Sequence, residues 1–294
     1  MVLIYLILTV LLGITLAQFN LLQFKHVHLL NKWIINIAFP AVAILVIPKL
    51  EFDIGLIIPI ITPIGLFSLS YLVFFHLIPN LTQAQRLALT ILTGLGNTSF
   101  LGFPFISFYY GPSHLPYAVI FDQVGFLILA TVAQLLINKS GGTANKTNPL
   151  IKVITFPPFV ALIVAFLIPA GWTDGITAEV LSFIGQSISP VAMIVVGYHI
   201  AKNIVLKISK EAWIGLGYKL VFAPFIVLLC IYFIGLPEDI VKTTIIEAGM
   251  SPMISASILL LDRNIATKLT TELLCWGIIG SFITSPIWYL LLNI

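Results

Sequence analysis

Three ionisable residues, Asp122, Lys219 and Glu247, sit deep inside long apolar stretches of this chain, and Glu272 lies near the start of a fourth. Two apolar stretches, one of them that of Glu247, are broken by polar runs rich in glycine and proline: GLGNTSFLGFP at Gly94–Pro104 and EAGMSP at Glu247–Pro252. A charge in the centre of a bilayer costs about 2.5–3.5 kcal/mol even on the mildest insertion scale, so each must face a cavity or a partner. Burial makes a carboxyl hold its proton more tightly and a nearby ammonium loosens it, so these groups could exchange protons. Glu247 lies two residues before Gly249, beside the second run, and Asp122 belongs to the apolar segment that follows the first. We expect Asp122, Lys219 and Glu247 to gather in one place, with at least one carboxylate changing protonation or pairing as the protein works. The plainer alternative is a static Lys219–carboxylate pair that braces neighbouring helices.

Of the chain's 294 residues, 60% are apolar and 9% are charged. Soluble domains carry about 25% charged residues, and a mean hydropathy of +1.12 leaves too little polar surface to coat a water-soluble globule. An integral membrane protein follows. The net charge of +3 is spread thinly between apolar segments, which excludes a nucleic-acid partner. Cys230 and Cys275 both fall in apolar stretches and read as packing residues. The five histidines have no cysteine or carboxylate at ligand spacing, so no metal is expected. No nucleophile elbow or paired acidic motif points to an enzyme, and no cofactor is implied. GLGNTS is not a nucleotide-binding turn, because Ser99 stands at the third glycine position and no strand precedes it.

A spanning helix needs about 20 apolar residues, and ten candidates can be placed at about 2–19, 30–48, 54–78, 85–109, 115–137, 150–170, 178–201, 211–234, 239–260 and 269–292. The first reads as a spanning helix and not as a removable signal. Loops after the odd-numbered spans hold eleven lysines and arginines, from Lys25 to Lys268, while the opposite loops hold Lys49 and Lys242. By the positive-inside rule both termini face away from the cytoplasm of a cell membrane. Trp33, Trp172, Trp213 and Trp288 fall near span ends, where interfacial anchors belong.

The two halves of the chain echo one another. Pro40 and Pro190 are 150 residues apart, Gly125 and Gly277 are 152 apart, and Gly96 and Gly249 are 153 apart. Five spans in each half force the second half to insert upside down. The expected fold is therefore an all-α membrane protein of ten transmembrane helices. They form two inverted five-helix repeats, residues 1–137 and 150–294, joined by a cytoplasmic linker at 138–149. Discontinuous helices at matching positions of inverted repeats mark a secondary transporter, with its site where the breaks meet. Gly94, Gly102, Pro104 and Gly249 would break the fourth and ninth spans, since proline lacks the helical donor and glycine tolerates unusual backbone. Unwound backbone is tolerable in a membrane only around a cavity or inside protein. A half-helix N-terminus beyond each break carries partial positive charge suited to an anion. The structural alternative is a pair of Gly/Pro kinks serving packing alone.

GNTSFLGFP resembles the G-N-x-x-F-x-G-x-P signature of the auxin efflux carrier family, which includes plant PIN-type carriers and bacterial malate or malonate permeases. FPAVAIL in the second span, FDQVG in the fifth, PVAMIVVG in the seventh, KLVFAP in the eighth and EAGMSPMISASIL in the ninth are similar to it as well. The resemblance implies a fold shared with the bile-acid/sodium symporters. Spans 1, 2, 6 and 7 would be a scaffold, and spans 3–5 and 8–10 a transport domain moving like an elevator. It implies a small organic anion held by Gly96, Asn97, Thr98, Ser99, Met250, Ser251 and Pro252, with Asn97 bonding its carboxylate. It also implies a homodimer through spans 2 and 7, while proton or ion coupling through Asp122, Lys219 and Glu247 is expected from those residues themselves. Ser99 stands where many members have glycine, and Ser251 separates Met250 from Pro252, so selectivity and break geometry depart from the family pattern. The long hydrophilic loop of the plant carriers is absent, and auxin itself is not the expected substrate. Proton coupling, sodium symport and uniport stay open, as does a channel or ligand-sensing module on the same fold.

Overall fold

Proline placement decides where these helices bend. In a helix a proline cannot donate to the carbonyl four residues back, and its ring crowds that carbonyl. Pro40, Pro104 and Pro224 each sit two residues beyond a widened π-helical turn, at Ile34–Ala38, Thr98–Gly102 and Tyr218–Phe222. The widening relieves the clash and leaves the carbonyl free for another donor. At Pro224 that carbonyl belongs to Leu220, and the Trp288 indole Nε1–H donates to it at 3.0 Å.

The computed structural model of the chain describes residues 2–50, 53–139, 155–203, 205, 207–231 and 235–293. Among these the chain is helical, with no strand beyond one isolated bridge. In chain order the helices are α1 Val2–Gln18, α2 Phe24–Lys49, α3 Ile54–Leu77, α4 Gln83–Gly94, α5 Phe103–Tyr109, α6 Pro112–Lys139, α7 Pro157–Leu167, α8 Gly175–Asn203, α9 Lys210–Ile231, α10 Glu238–Ala248, α11 Ile254–Asp262 and α12 Thr267–Leu291. Six of them, α2, α3, α6, α8, α9 and α12, are long and apolar enough to cross a bilayer. The apolar part of α1 and all of α7 are shorter, and the expected fourth and ninth spans are each interrupted. Most of the expected linker, 140–149, and the start of the expected sixth span lie outside the described residues.

Polar residues set several helix ends. Thr82 and Gln85 form a reciprocal capping box at the start of α4. Arg86, one residue on, donates to the carbonyls of Phe74 and Phe75 at 2.8 and 2.7 Å, satisfying the frayed end of α3. The helix α2 begins at Phe24, ahead of the expected boundary near residue 30. Gln23 and His26 cap it, so Lys25 sits in its first turn and Lys32 about two turns further along, instead of in a loop.

Small residues bring α1 and α8 together at backbone distance. A Cβ built on Gly197 would collide with the Val10 carbonyl and come within 2.9 Å of the Gly13 Cα; one on Gly13 would collide with the Ile194 carbonyl. Such approaches gain van der Waals contact where lipid supplies no hydrophobic drive between helices. Gly197→Ala should therefore cost about 1–3 kcal/mol by overpacking. Gly65→Ala, whose added carbon meets nothing within 4 Å, should be neutral or mildly stabilising. Thermal unfolding of the two purified variants checks this, and equal melting temperatures would contradict the packing argument.

Candidate functional site

The break after α4 follows from its residues. Gly94 ends the helix against α3, where a Cβ would come within 2.8 Å of the Phe67 ring. Leu95 is extended at φ −114° and ψ 125°, and Asn97 turns the chain at φ −83° and ψ 63°. The π turn Thr98–Gly102 then leads through Pro104 into α5, and Leu101 and Gly102 both donate to the Asn97 carbonyl, at 3.2 and 3.3 Å. The second break mirrors the first in kind. The helix α10 ends at Ala248, Gly249 caps it, Met250–Pro252 run outside any helix, and Met253 is extended before α11.

The two interruptions meet antiparallel, with Gly96 opposite Pro252. The Asn97 N–H donates to the Ser251 carbonyl at 2.7 Å, and the Met253 N–H donates to the Leu95 carbonyl at 3.1 Å. These bonds give partners to main-chain groups that the broken helices leave free. Pro252, which has no N–H, sits where no donor is needed and presses against Gly277 of α12; a Cβ there would collide with its ring. Gly125 of α6 stands beside the Met253 methyl.

Buried charge surrounds this crossing. The Asp122 Oδ1 accepts hydrogen bonds from the hydroxyls of Thr98 and Ser99. Thr98 and Ser99, expected to face substrate, thus hold Asp122 in this arrangement, which gives the extra hydroxyl of Ser99 a partner. Glu247 is wholly buried and its two carboxylate oxygens have no hydrogen-bond partner among the described residues. It fills the space that a side chain at residue 102 would take: a Cβ on Gly102 would lie 2.6 Å from Glu247 Oε1. The Lys219 Nζ sits beside Gly96, 3.2 Å from where a Cβ would project. Glu247 lies within electrostatic reach of both Asp122 and Lys219, so the three expected charges do gather here. The static Lys219–carboxylate pair is not what forms, however. Among the described residues the ion pairs are Lys49–Asp174, His114–Asp239, Lys242–Glu238 and Lys268–Glu272. Glu272 instead accepts from the Ser209 N–H and hydroxyl at the start of α9, far along the chain from the crossing.

One neutral donor is also left over: the Asn97 side-chain nitrogen, buried and without a partner among the described residues. Met250, Ser251 and Pro252 are buried with it. An open cavity of about 250 Å³ is lined by Gln123, next in the chain to Asp122, by Ser255 of α11 and by the rings of Phe126, Phe156 and Phe159. Gln123 and Ser255 fall within the motifs FDQVG and EAGMSPMISASIL, yet nothing in their spacing marks them as lining a cavity. Trp288, expected at the membrane interface, is buried instead and packs near Gly249 while donating to Leu220. Among the described residues no group of three or more His, Cys, Asp or Glu could hold a metal ion.

Comparison with known proteins adds to this geometry. The model of the family described as membrane transport protein matches residues 1–289. An uncharacterized transporter of Methanothermobacter thermautotrophicus is 24% identical over 289 residues, covering 96% of this chain and 95% of that protein. The uncharacterized transporter YfdV of Escherichia coli K12 is 23% identical over 277 residues, covering 88% and 86%.

The contact between Gly102 and Glu247 makes a direct prediction. Gly102→Ala should cost about 1–3 kcal/mol, and the penalty should shrink when Glu247→Ala has removed the carboxylate. A double-mutant cycle read by thermal unfolding checks it. The same penalty in both backgrounds would show that Gly102 answers to some other neighbour.

Proposed function

The chain belongs to the membrane transport protein family, the one its broken-helix motifs resemble, and on that premise we propose that it moves a small organic anion, a carboxylate, across the membrane as a secondary transporter or uniporter. The observation that carries this reading is the crossing itself: two interrupted helices paired through Gly96 and Pro252, with the Asn97 amide beside them lacking an acceptor. A carboxylate is the natural acceptor for that donor. Gly96, Asn97, Thr98 and Ser99 from the first break, and Met250, Ser251 and Pro252 from the second, make up the site. Lys219 offsets the charge of the incoming anion, while Glu247 and Asp122 set when the anion can be tolerated.

In this reading the crossing is closed, because the site residues are buried, and the cavity at Gln123 and Ser255 is one approach to it. Alternating access moves α3–α6 and α9–α12 as a transport domain against a scaffold of α1, α2, α7 and α8, with the halves related as inverted repeats. The close backbone packing of α1 on α8 suits a scaffold that stays rigid. Scaffold helices α2 and α8 supply the contact in a homodimer. Sodium symport on the same site is the second reading, favoured by the unpartnered carboxylate oxygens of Glu247, which would suit a cation. Flux with and without a sodium gradient separates the two.

A hydrogen bond to a charged acceptor is worth about 1.5–3 kcal/mol, roughly ten- to a hundredfold in affinity. A thermal-shift screen of small carboxylates on the purified protein should find at least one that stabilises it, and Asn97→Ala should abolish that stabilisation. A carboxylate whose effect survives the substitution would place the site elsewhere.

A further inference from the structure

Threonines in apolar helices ordinarily bond their hydroxyl to the carbonyl four residues back, as Thr9, Thr15, Thr131, Thr271 and Thr284 do here. Thr243 and Thr244 of α10 are fully buried and do not; neither hydroxyl has a partner among the described residues. A buried hydroxyl left unpaired costs about 1–3 kcal/mol, so it calls for a reason.

The reason for Thr243 lies in its register. Asp239, Thr243 and Glu247 recur at intervals of four, so they share one face of α10 over about 12 Å of helix. At the outer end of that face Asp239 is half-exposed, and its Oδ1 lies 3.2 Å from Nε2 of His114. His114 begins the neighbouring α6 and stacks on Tyr110. Among the described residues the charged groups near this end include Glu238 and Lys242, paired with each other, and Asp53, which accepts from the Gly55 N–H beside Ile240 of α10; Lys242 also donates to Asn293, just beyond α12. At the inner end the Glu247 carboxylate lies against Gly102, the Glu247 main-chain carbonyl and the Lys219 Nζ of α9 both lie beside Gly96, and Asp122 of α6 is within electrostatic reach.

We propose that this face of α10 is a proton path, leading from the surface pair His114–Asp239 through the Thr243 hydroxyl to Glu247 at the crossing. Each interval is four residues, about 6 Å of helix rise, a gap of the size that a single water can bridge. A proton from bulk water is taken up at Asp239 or its imidazole partner. Thr243 accepts a proton on its oxygen as its own hydrogen moves inward, and its hydroxyl is thereby regenerated. The Glu247 carboxylate becomes a carboxylic acid, so one proton has moved from bulk to crossing. Loss of that negative charge removes a repulsion that a substrate carboxylate would otherwise meet. The inference rests on the proposed transport site and names the coupling ion and its route.

Infrared spectroscopy of the full chain in lipid reads the path without any substrate. The carboxylic C=O band that disappears in Glu247→Gln identifies the acid, and its shift on transfer to D2O times proton access. Thr243→Val should slow that exchange by roughly tenfold or more. Thr243→Ser should restore it, and Asp239→Asn should slow it too. Thr244→Val, equally buried but about 100° round the helix, should leave it unchanged. Equal exchange in Thr243→Val and Thr244→Val overturns the path, as does the absence of any Glu247 acid band while the protein stays folded. Either result leaves carboxylate binding at Asn97 standing, whereas a failed carboxylate screen with normal exchange would remove the transport reading alone.

Discussion

Two main-chain hydrogen bonds hold the middle of this protein together: Asn97 N–H to the Ser251 carbonyl, and Met253 N–H to the Leu95 carbonyl. A helix interrupted within a membrane exposes amide and carbonyl groups that lipid cannot satisfy. Here each interruption supplies what the other lacks. The constraint explains why the neighbouring residues are so small or so shaped: Gly96 lies against Lys219 and the Glu247 carbonyl, Gly277 makes room for the Pro252 ring, and Gly94 for Phe67. It also explains the π turn at Thr98–Gly102, which aims the Thr98 and Ser99 hydroxyls at Asp122 before Pro104 restarts the helix.

The charges near the crossing are satisfied unequally. Asp122 has two hydroxyl donors, whereas Glu247 has none and Lys219 has no ion-pair partner among the described residues. A fully compensated cluster would brace the helices and stay put. One with a bare carboxyl and an unpaired amide is poised to accept something, and a proton and a carboxylate are the chemically complementary visitors. Burying a charge without a partner costs several kcal/mol, so such a cluster persists only where a bound species or a change of protonation offsets that cost.

Much of this was legible in the sequence because glycine and proline punctuate helices for steric reasons that hold in any fold. GLGNTSFLGFP and EAGMSP read as breaks, and the structure breaks there. The gathering of Asp122, Lys219 and Glu247 was legible from the cost of charge in lipid. Less legible was anything that depends on which face a residue presents. Trp288 lies near the end of an expected span, where an interfacial role is expected, yet it turns inward and donates to the Leu220 carbonyl that Pro224 leaves free. The start of α2 at Phe24 is invisible to hydropathy, which sees only the apolar part of the helix and not the Gln23–His26 cap. The partners of Thr98 and Ser99, and the orphan hydroxyl of Thr243, are set by side-chain rotamers that no periodicity encodes.

The central claim is that the crossing of the two breaks receives a carboxylate. Cryo-electron microscopy of the protein in lipid nanodiscs, with a stabilising carboxylate bound, tests it most directly. The account predicts Gly96 and Pro252 opposite one another in antiparallel register, with ligand density within hydrogen-bonding distance of the Asn97 amide. Continuous helices through residues 94–104 and 247–254, or a ligand seated away from both, would contradict it.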